Sequence, residues 1–304
     1  MKKCILLVLL ALLTALPAQA KSAASGLQQL ERADGHIVHW YLDRRGETGE
    51  QGIVLLAQGS GCTSPVHGQA MEAAAFLAPG HAIVRMEKSG VPPGHRPGDD
   101  GCPESFHEQH TISGWVADLE RVIKSLRDSS WWNGELVLFG GSEGGAMVTL
   151  AASRIPETRV LIVLSSGLGM TMAETLTSVV PPEVAEHLRR QFQEIRANPD
   201  SSEVWSAHSY RWWHEVLDHD FTTDLLAVDV PILLIQGGRD ESVPVASGRN
   251  ARKAFKQAGR TNLTYREYPH LDHGMSDADG QSRLNKVITD AGEWLNHRLA
   301  GRKD

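Results

Sequence analysis

The residues with the clearest capacity for covalent chemistry lie at 140–145, where the chain reads Gly140-Gly141-Ser142-Glu143-Gly144-Gly145. The run before them, Leu136-Val137-Leu138-Phe139, is short and apolar, as a buried strand is. The run after them, 146–152, is small and apolar, as a packed helix is. Gly-x-Ser-x-Gly between a strand and a helix is the spacing of a nucleophile elbow. So tight a turn lifts the serine hydroxyl above the sheet edge, and the glycines leave room where side chains would collide. It also aims the unpaired N–H groups of the helix N-terminus at any negative charge developing there. Glycine-rich turns also serve merely to join a strand to a helix, so the reading depends on partners for Ser142.

A serine hydroxyl is a weak nucleophile; it needs a base, and the base needs an acid that fixes its tautomer. Residues 231–236 read as a buried strand that runs into Gly237-Gly238-Arg239-Asp240-Glu241-Ser242. Residues 263–268 read as another, running into Pro269-His270-Leu271-Asp272-His273-Gly274. In a parallel sheet both turns share an edge with Ser142. Asp240 is expected to be the orienting acid, over Glu241, Asp224 and Asp229, from its offset after the paired glycines. His273 is preferred to His270 as the base for the glycine that follows it. Asp272 is expected to brace its own loop. The order Ser142, Asp240, His273 is one that hydrolases use.

The tetrahedral oxyanion of such a reaction needs two donors. The backbone N–H of Glu143 is one candidate; Ser60, in Gln58-Gly59-Ser60-Gly61, is the other, with Gly61 as alternative. The Glu143 carboxylate is expected to project near the site and to influence substrate choice. His107, His110, His214 and His219 form sequence pairs, but none has the H-E-x-x-H spacing of a metalloprotease, and neither metal nor cofactor is expected.

The elements that must carry these residues alternate. Strands are expected at 36–42 (an antiparallel edge strand), 53–57, 81–86, 136–139, 159–164, 231–236 and 263–268. Helices are expected at 69–77, 112–126, after Ser142, and at 282–299, with a glycine- and proline-rich loop at 90–103. This pattern predicts a mostly parallel sheet covered on both faces. Residues 170–226 interrupt it with helix formers and with Trp205, Tyr210, Trp212 and Trp213. They read as a helical cap over the strand ends, its aromatics lining an acyl pocket or gluing the cap to the body.

Residues 1–20 read as a secretory signal: Lys2 and Lys3, an apolar core at 5–13, and Ala18-Gln19-Ala20 as cleavage site. Cleavage near Lys21 would leave one domain over 21–304, periplasmic or secreted, with no stable membrane anchor. The chain has 304 residues, 41% of them hydrophobic and 22% charged, and a formal net charge of −7. Losing Lys2 and Lys3 makes that −7 − 2 = −9. With no basic patch, nucleic acid and anionic membranes are poor partners; a small-molecule acyl substrate is the expected one. Cys62 and Cys102 remain after cleavage, an even pair that export would oxidise to a disulfide, bracing the Gln58–Gly61 loop.

Together the Gly140–Gly144 elbow, the Gln58–Gly61 loop, the Gly237–Asp240 turn and Asp272-His273-Gly274 make the chain resemble the α/β-hydrolase-fold serine hydrolases. The doubled glycine is similar to that of the prolyl-oligopeptidase-like and dienelactone-hydrolase-like catalytic domains. Gln58 departs from the pattern, since many esterases have histidine there. The resemblance implies a serine hydrolase that cleaves an ester or thioester. An amidase or peptidase would use the same residues, and a non-catalytic binding protein could keep the fold.

Overall fold

The computed structural model describes residues 26–45, 49–98 and 101–300. The expected signal at 1–20 lies outside the described residues. In chain order, β1 (Gly26–Glu31), β2 (Ile37–Asp43) and β3 (Gln51–Ala57) precede α1 (Gln69–Ala74) and β4 (Ala82–Met86). Then come α2 (Glu104–Gln109), α3 (Ile112–Leu126), β5 (Trp132–Gly141), α4 (Glu143–Ala152) and β6 (Thr158–Leu164). An insertion follows: α5 (Met172–Ser178), α6 (Pro182–Ala197), the short pair β7 (Val204–Trp205) and β8 (His208–Ser209), α7 (Tyr210–Val216) and α8 (Phe221–Leu226). The chain closes with β9 (Ile232–Gly237), α9 (Val245–Gln257), β10 (Leu263–Tyr268) and α10 (Leu284–Ala300).

The main sheet has eight strands in the order β1-β2-β4-β3-β5-β6-β9-β10. From β4 to β10 every neighbour is parallel; β1 and β2 are antiparallel additions at one side. This is the α/β-hydrolase fold. Because strand side chains alternate, each buried strand feeds two cores. Ile53, Leu55, Leu136 and Leu138 join the core under α3 and α4. Val54, Leu56, Val137 and Phe139 join the core under α1 and α10. Strands buried on both faces read as unbroken apolar runs, which is why β3, β5, β6 and β9 are visible in the sequence.

Residues 36–42 were expected to form an edge strand, but β2 lies between β1 and β4 and the edge falls to β1. The segment Gly26-Leu27-Gln28-Gln29-Leu30-Glu31 has little apolar alternation, and pairing with β2, more than propensity, makes it a strand. The short α2 follows the loop at 90–103 directly, with Phe106 as its buried anchor.

The insertion has no separate core. Phe192, Ile195, Trp212, Trp213, Phe221 and Leu225 belong to the same apolar cluster as α3 and α4. Its helices are seated by local caps: Thr171 and Glu174 form a reciprocal capping box on α5, and Ser209 accepts the Trp212 N–H on α7.

Cys62 and Cys102 form a disulfide, with their Cα atoms 5.6 Å apart. It ties the loop after β3 to the segment before α2, where Val91 and Phe106 pack against it. The bridge spans 40 residues of chain, so in the chain-entropy account it stabilises by about 4 kcal/mol. The double variant Cys62→Ser/Cys102→Ser should lose roughly that much in a denaturant titration. A loss below ~1 kcal/mol would show that the bridge constrains little that folding does not already fix.

Candidate active site

Ser142 separates β5 from α4 with φ 51° and ψ −120°, a conformation costly for any residue with a side chain. Its N–H donates to the Leu164 carbonyl at 2.9 Å, so the strained turn is pinned to the end of β6. Packing explains the glycine that follows. A Cβ on Gly144 would lie 2.3 Å from the Ala57 carbonyl oxygen and 2.5 Å from that of Gln58. Only a hydrogen lets α4 start this close to the end of β3. The same approach brings in the next loop: a Cβ on Gly59 would sit 3.4 Å from Ser142 Cβ. Ser60, Ser142 and Glu143 all line one cavity.

Asp240 occupies the turn after β9. Its side chain is fully buried, and Oδ1 accepts the N–H groups of Ser242 (2.9 Å) and Val243 (2.8 Å). Oδ2 accepts from Gln236 Nε2 and meets His273 Nδ1, both at 2.9 Å. With Nδ1 engaged by Asp240, Nε2 is the nitrogen left free on the ring. The paired glycines permit this contact: a Cβ on Gly237 would fall 2.4 Å from the Asp272 carbonyl oxygen, and one on Gly238 would meet Pro269. The His273 carbonyl accepts the Ser165 hydroxyl at 3.0 Å, directly after the residue that holds Ser142. Thus β6 links the serine turn to the histidine loop.

Among the described residues no hydrogen bond joins the Ser142 hydroxyl to the His273 ring. The His273 side chain is 33% exposed, and contacts of this type tighten when substrate binds. Asp272 braces its own loop, its Oδ1 accepting the Ser276 N–H at 2.8 Å. His270 is exposed. Asp229 is an exposed partner of Arg260, and Asp224 pairs with His219.

The cavity measures about 310 Å³. Leu168, Met170, Met172, Leu176, Val216 and Phe221 give it apolar walls, and Trp212 and Trp213 complete them. The other two aromatics expected here are elsewhere. Trp205 packs between Phe192 and Trp213, and the Tyr210 hydroxyl engages Gln191 and Glu203. Both glue the insertion together through these contacts.

Glu143 lines the cavity, as expected of a residue near the site. Its carboxylate is buried and committed: Oε2 to Lys88 Nζ at 2.7 Å, and Oε1 to His110 Nε2 at 2.7 Å and Trp212 Nε1 at 3.2 Å. Lys88 also donates to the Gly59 carbonyl at 2.8 Å. His208 stacks face to face on Trp212 with ring centres 3.9 Å apart, and its Nε2 lies 3.7 Å from Glu143. The sequence reading does not single out Lys88 or His208; the available signal is the charged pair Glu87-Lys88 directly after the apolar run of β4. Glu87, beside it, accepts from Ser64, from Tyr41 and from the Gly94 N–H, tying three segments around the site.

Donor atoms of His110, Glu143 and His208 lie within 4.8 Å of one another. Of His107, His110, His214 and His219, this trio contains His110 alone. A divalent ion would have to displace the Lys88 ammonium, since both carboxylate oxygens are engaged. Burial alone would raise the Glu143 carboxyl; Lys88 and then His110 outweigh it and hold it far below the usual range. Burial lowers Lys88 and His110 against the pull of Glu143, and pushes His208 down to about 3.

The Hydrolase_4 family, described as serine aminopeptidase, S33, matches residues 50–277. A non-heme chloroperoxidase from Streptomyces lividans is 26% identical over 232 residues, covering 66% of this chain and 78% of that protein. A bifunctional esterase/perhydrolase from Acinetobacter calcoaceticus is 23% identical over 246 residues, covering 70% and 82%. The solved structure of Est1E from Butyrivibrio proteoclasticus with ferulic acid bound superposes with a TM-score of 0.63 at 17% identity, covering 88% of this chain and 98% of that one.

The buried histidines make stability sensitive to acid. In the unfolded chain an imidazole takes its proton near pH 6.5, whereas folded His208 resists until about pH 3. Between those values the unfolded state binds more protons, so stability falls as pH falls. His110 acts in the same direction. The unfolding free energy should therefore decline from pH 6.5 downwards, and His208→Gln should flatten that slope. An unchanged slope in a pH series of denaturant titrations would mean that His208 carries a proton in the folded protein.

Proposed function

Because the chain belongs to the Hydrolase_4 family, described as serine aminopeptidase, S33, we propose that it is an exported serine hydrolase cleaving a carboxylic ester or thioester through an acyl-enzyme. Ser142 Oγ attacks the acyl carbon while His273 Nε2 takes its proton. Asp240, on Nδ1, holds the ring in the required tautomer and balances the imidazolium. The backbone N–H groups of Ser60 and Glu143 receive the negative charge of the tetrahedral oxygen. Collapse expels the alcohol or thiol, which takes the proton from His273; water then repeats the sequence and releases the acid. The observation that carries this reading is the His273–Asp240 bond at a sheet edge where a strained serine faces a cavity.

Ester cleavage is favoured over aminopeptidase action by the cavity itself. Recognition of a substrate's α-ammonium calls for an available carboxylate. Among the described residues lining the cavity the one acid is Glu143, and its charge is already answered by Lys88. Apolar walls with two indoles suit an aliphatic or aromatic acyl group instead. The names of two relatives point the same way: an esterase/perhydrolase, and a protein that holds ferulic acid, an aromatic acid.

Export rests on the signal-like residues 1–20 and on the Cys62–Cys102 bridge, which an oxidising compartment preserves. No helix among the described residues is long and apolar enough to cross a membrane.

A fluorophosphonate should label the wild-type protein but not Ser142→Ala. Turnover of p-nitrophenyl esters should vanish in that variant and fall about 10⁴-fold in Asp240→Asn. Turnover by Ser142→Ala, or a folded wild type that does not label, would overturn the assignment.

A further inference from the structure

Among the buried charged groups that the mechanism above does not use, Lys88 lies against the loop that carries Ser60. Lys88 follows β4, and its side chain is wholly shielded from solvent. An ammonium is costly to bury unless its donors are matched. Here the partners are known: Glu143 Oε2 at 2.7 Å, the Gly59 carbonyl oxygen at 2.8 Å, and the face of Trp115 with Nζ 5.0 Å from the ring centre.

The Gly59 carbonyl gives this arrangement its chemical meaning. It belongs to the same planar trans peptide as the Ser60 N–H, and in such a unit the two groups point in opposite directions. Holding the oxygen inward on Lys88 aims the N–H outward. Ser60 lies on the cavity side, with Ser142 and Glu143. The Cys62–Cys102 bridge and the bond from Gln58 Nε2 to the Thr63 carbonyl at 2.9 Å hold the loop in place, but neither fixes which way the Gly59–Ser60 peptide faces. Glycines stand on both sides of Ser60, and Gly61 already has φ +92°, so the local backbone can turn over at small cost.

Glu143 connects the two halves. Its backbone N–H begins α4 and is the second proposed donor. Its carboxylate grips Lys88, and His110 and Trp212 hold the other oxygen. We propose that Lys88 is a positioning residue for the oxyanion hole: it locks the Gly59–Ser60 peptide so that the Ser60 N–H faces the reacting oxygen, and the Glu143 side chain is the strut that fixes it. One residue thereby supplies one donor directly and orients the other through an ion pair. The inference rests on the reading of Ser60 and Glu143 as the oxyanion donors.

The test separates this role from mere support of the fold. Lys88→Met alone strands a buried carboxylate and is expected to lose stability. Lys88→Met/Glu143→Gln removes both charges together, a change that buried pairs commonly tolerate. The double variant should unfold near the wild-type midpoint, yet its kcat on a p-nitrophenyl ester should fall about 10²-fold with KM nearly unchanged. Inhibition by an aryl trifluoromethyl ketone, whose hemiketal oxygen would occupy the hole, should weaken by the same factor. Should the pair fail to fold, Glu143→Gln carries the test, with kcat about tenfold down at unchanged KM. Wild-type kcat and ketone affinity in a folded variant would remove Lys88 from this role while leaving the nucleophile assignment intact. Turnover by Ser142→Ala in the same assay would remove the underlying reading, and this inference with it.

Discussion

At Gly144 the first turn of α4 passes so close to β3 that a single added carbon would lie 2.3 Å from a backbone oxygen. The rest of the site depends on that contact. It fixes where α4 begins, and therefore where the Glu143 N–H points and how sharply the chain must bend at Ser142. It also brings the loop after β3 beside the serine, so that backbone from two distant segments faces one point. A residue with a side chain at this position would separate them. The positive φ of Ser142 is the consequence: strand and helix are placed by packing, and the connecting residue takes the conformation that remains.

The second approach, at Gly237 and Gly238, does the same for the other half. Paired glycines let the His273 loop lie against the turn after β9, and Asp240 then reaches the ring from beneath. Parallel strands deliver both halves to one edge, since every connection after β3 leaves from the same end. The insertion between β6 and β9 closes that edge. Its aromatics share the core of the body, and Trp212, Trp213, Val216 and Phe221 wall the cavity. Apolar walls exclude water, which strengthens each dipole aimed at the reacting oxygen.

How much of this is legible in the sequence follows from the range of the forces involved. The parallel strands announce themselves because burial on both faces demands unbroken apolar runs. The serine, aspartate and histidine loops are visible because tight turns need glycine at particular offsets. β1 escapes notice because its strand character comes from pairing with β2, a contact between segments. Trp205 and Tyr210 resemble Trp212 and Trp213 in composition, and tertiary contacts with α6 and Glu203 decide that they stay off the cavity. Lys88 is the strongest case. Its importance lies in where the ammonium goes, 29 residues from Gly59 and 55 from Glu143 in the chain, and no local pattern records such a meeting.

Charge balance explains why such a network can stand behind the reaction centre. Glu143 is held ionised and Lys88 faces it, while burial keeps His208 neutral and pushes His110 the same way. The sum over the pair is close to zero. An unpaired ammonium there would draw in anions, including the product acid, as strongly as it favoured the transition state. An unpaired carboxylate would oppose the developing oxyanion outright. With the two matched, their field largely cancels at a distance, and what reaches the cavity is orientation: two backbone dipoles, aligned before the reaction begins and requiring no rearrangement as charge appears.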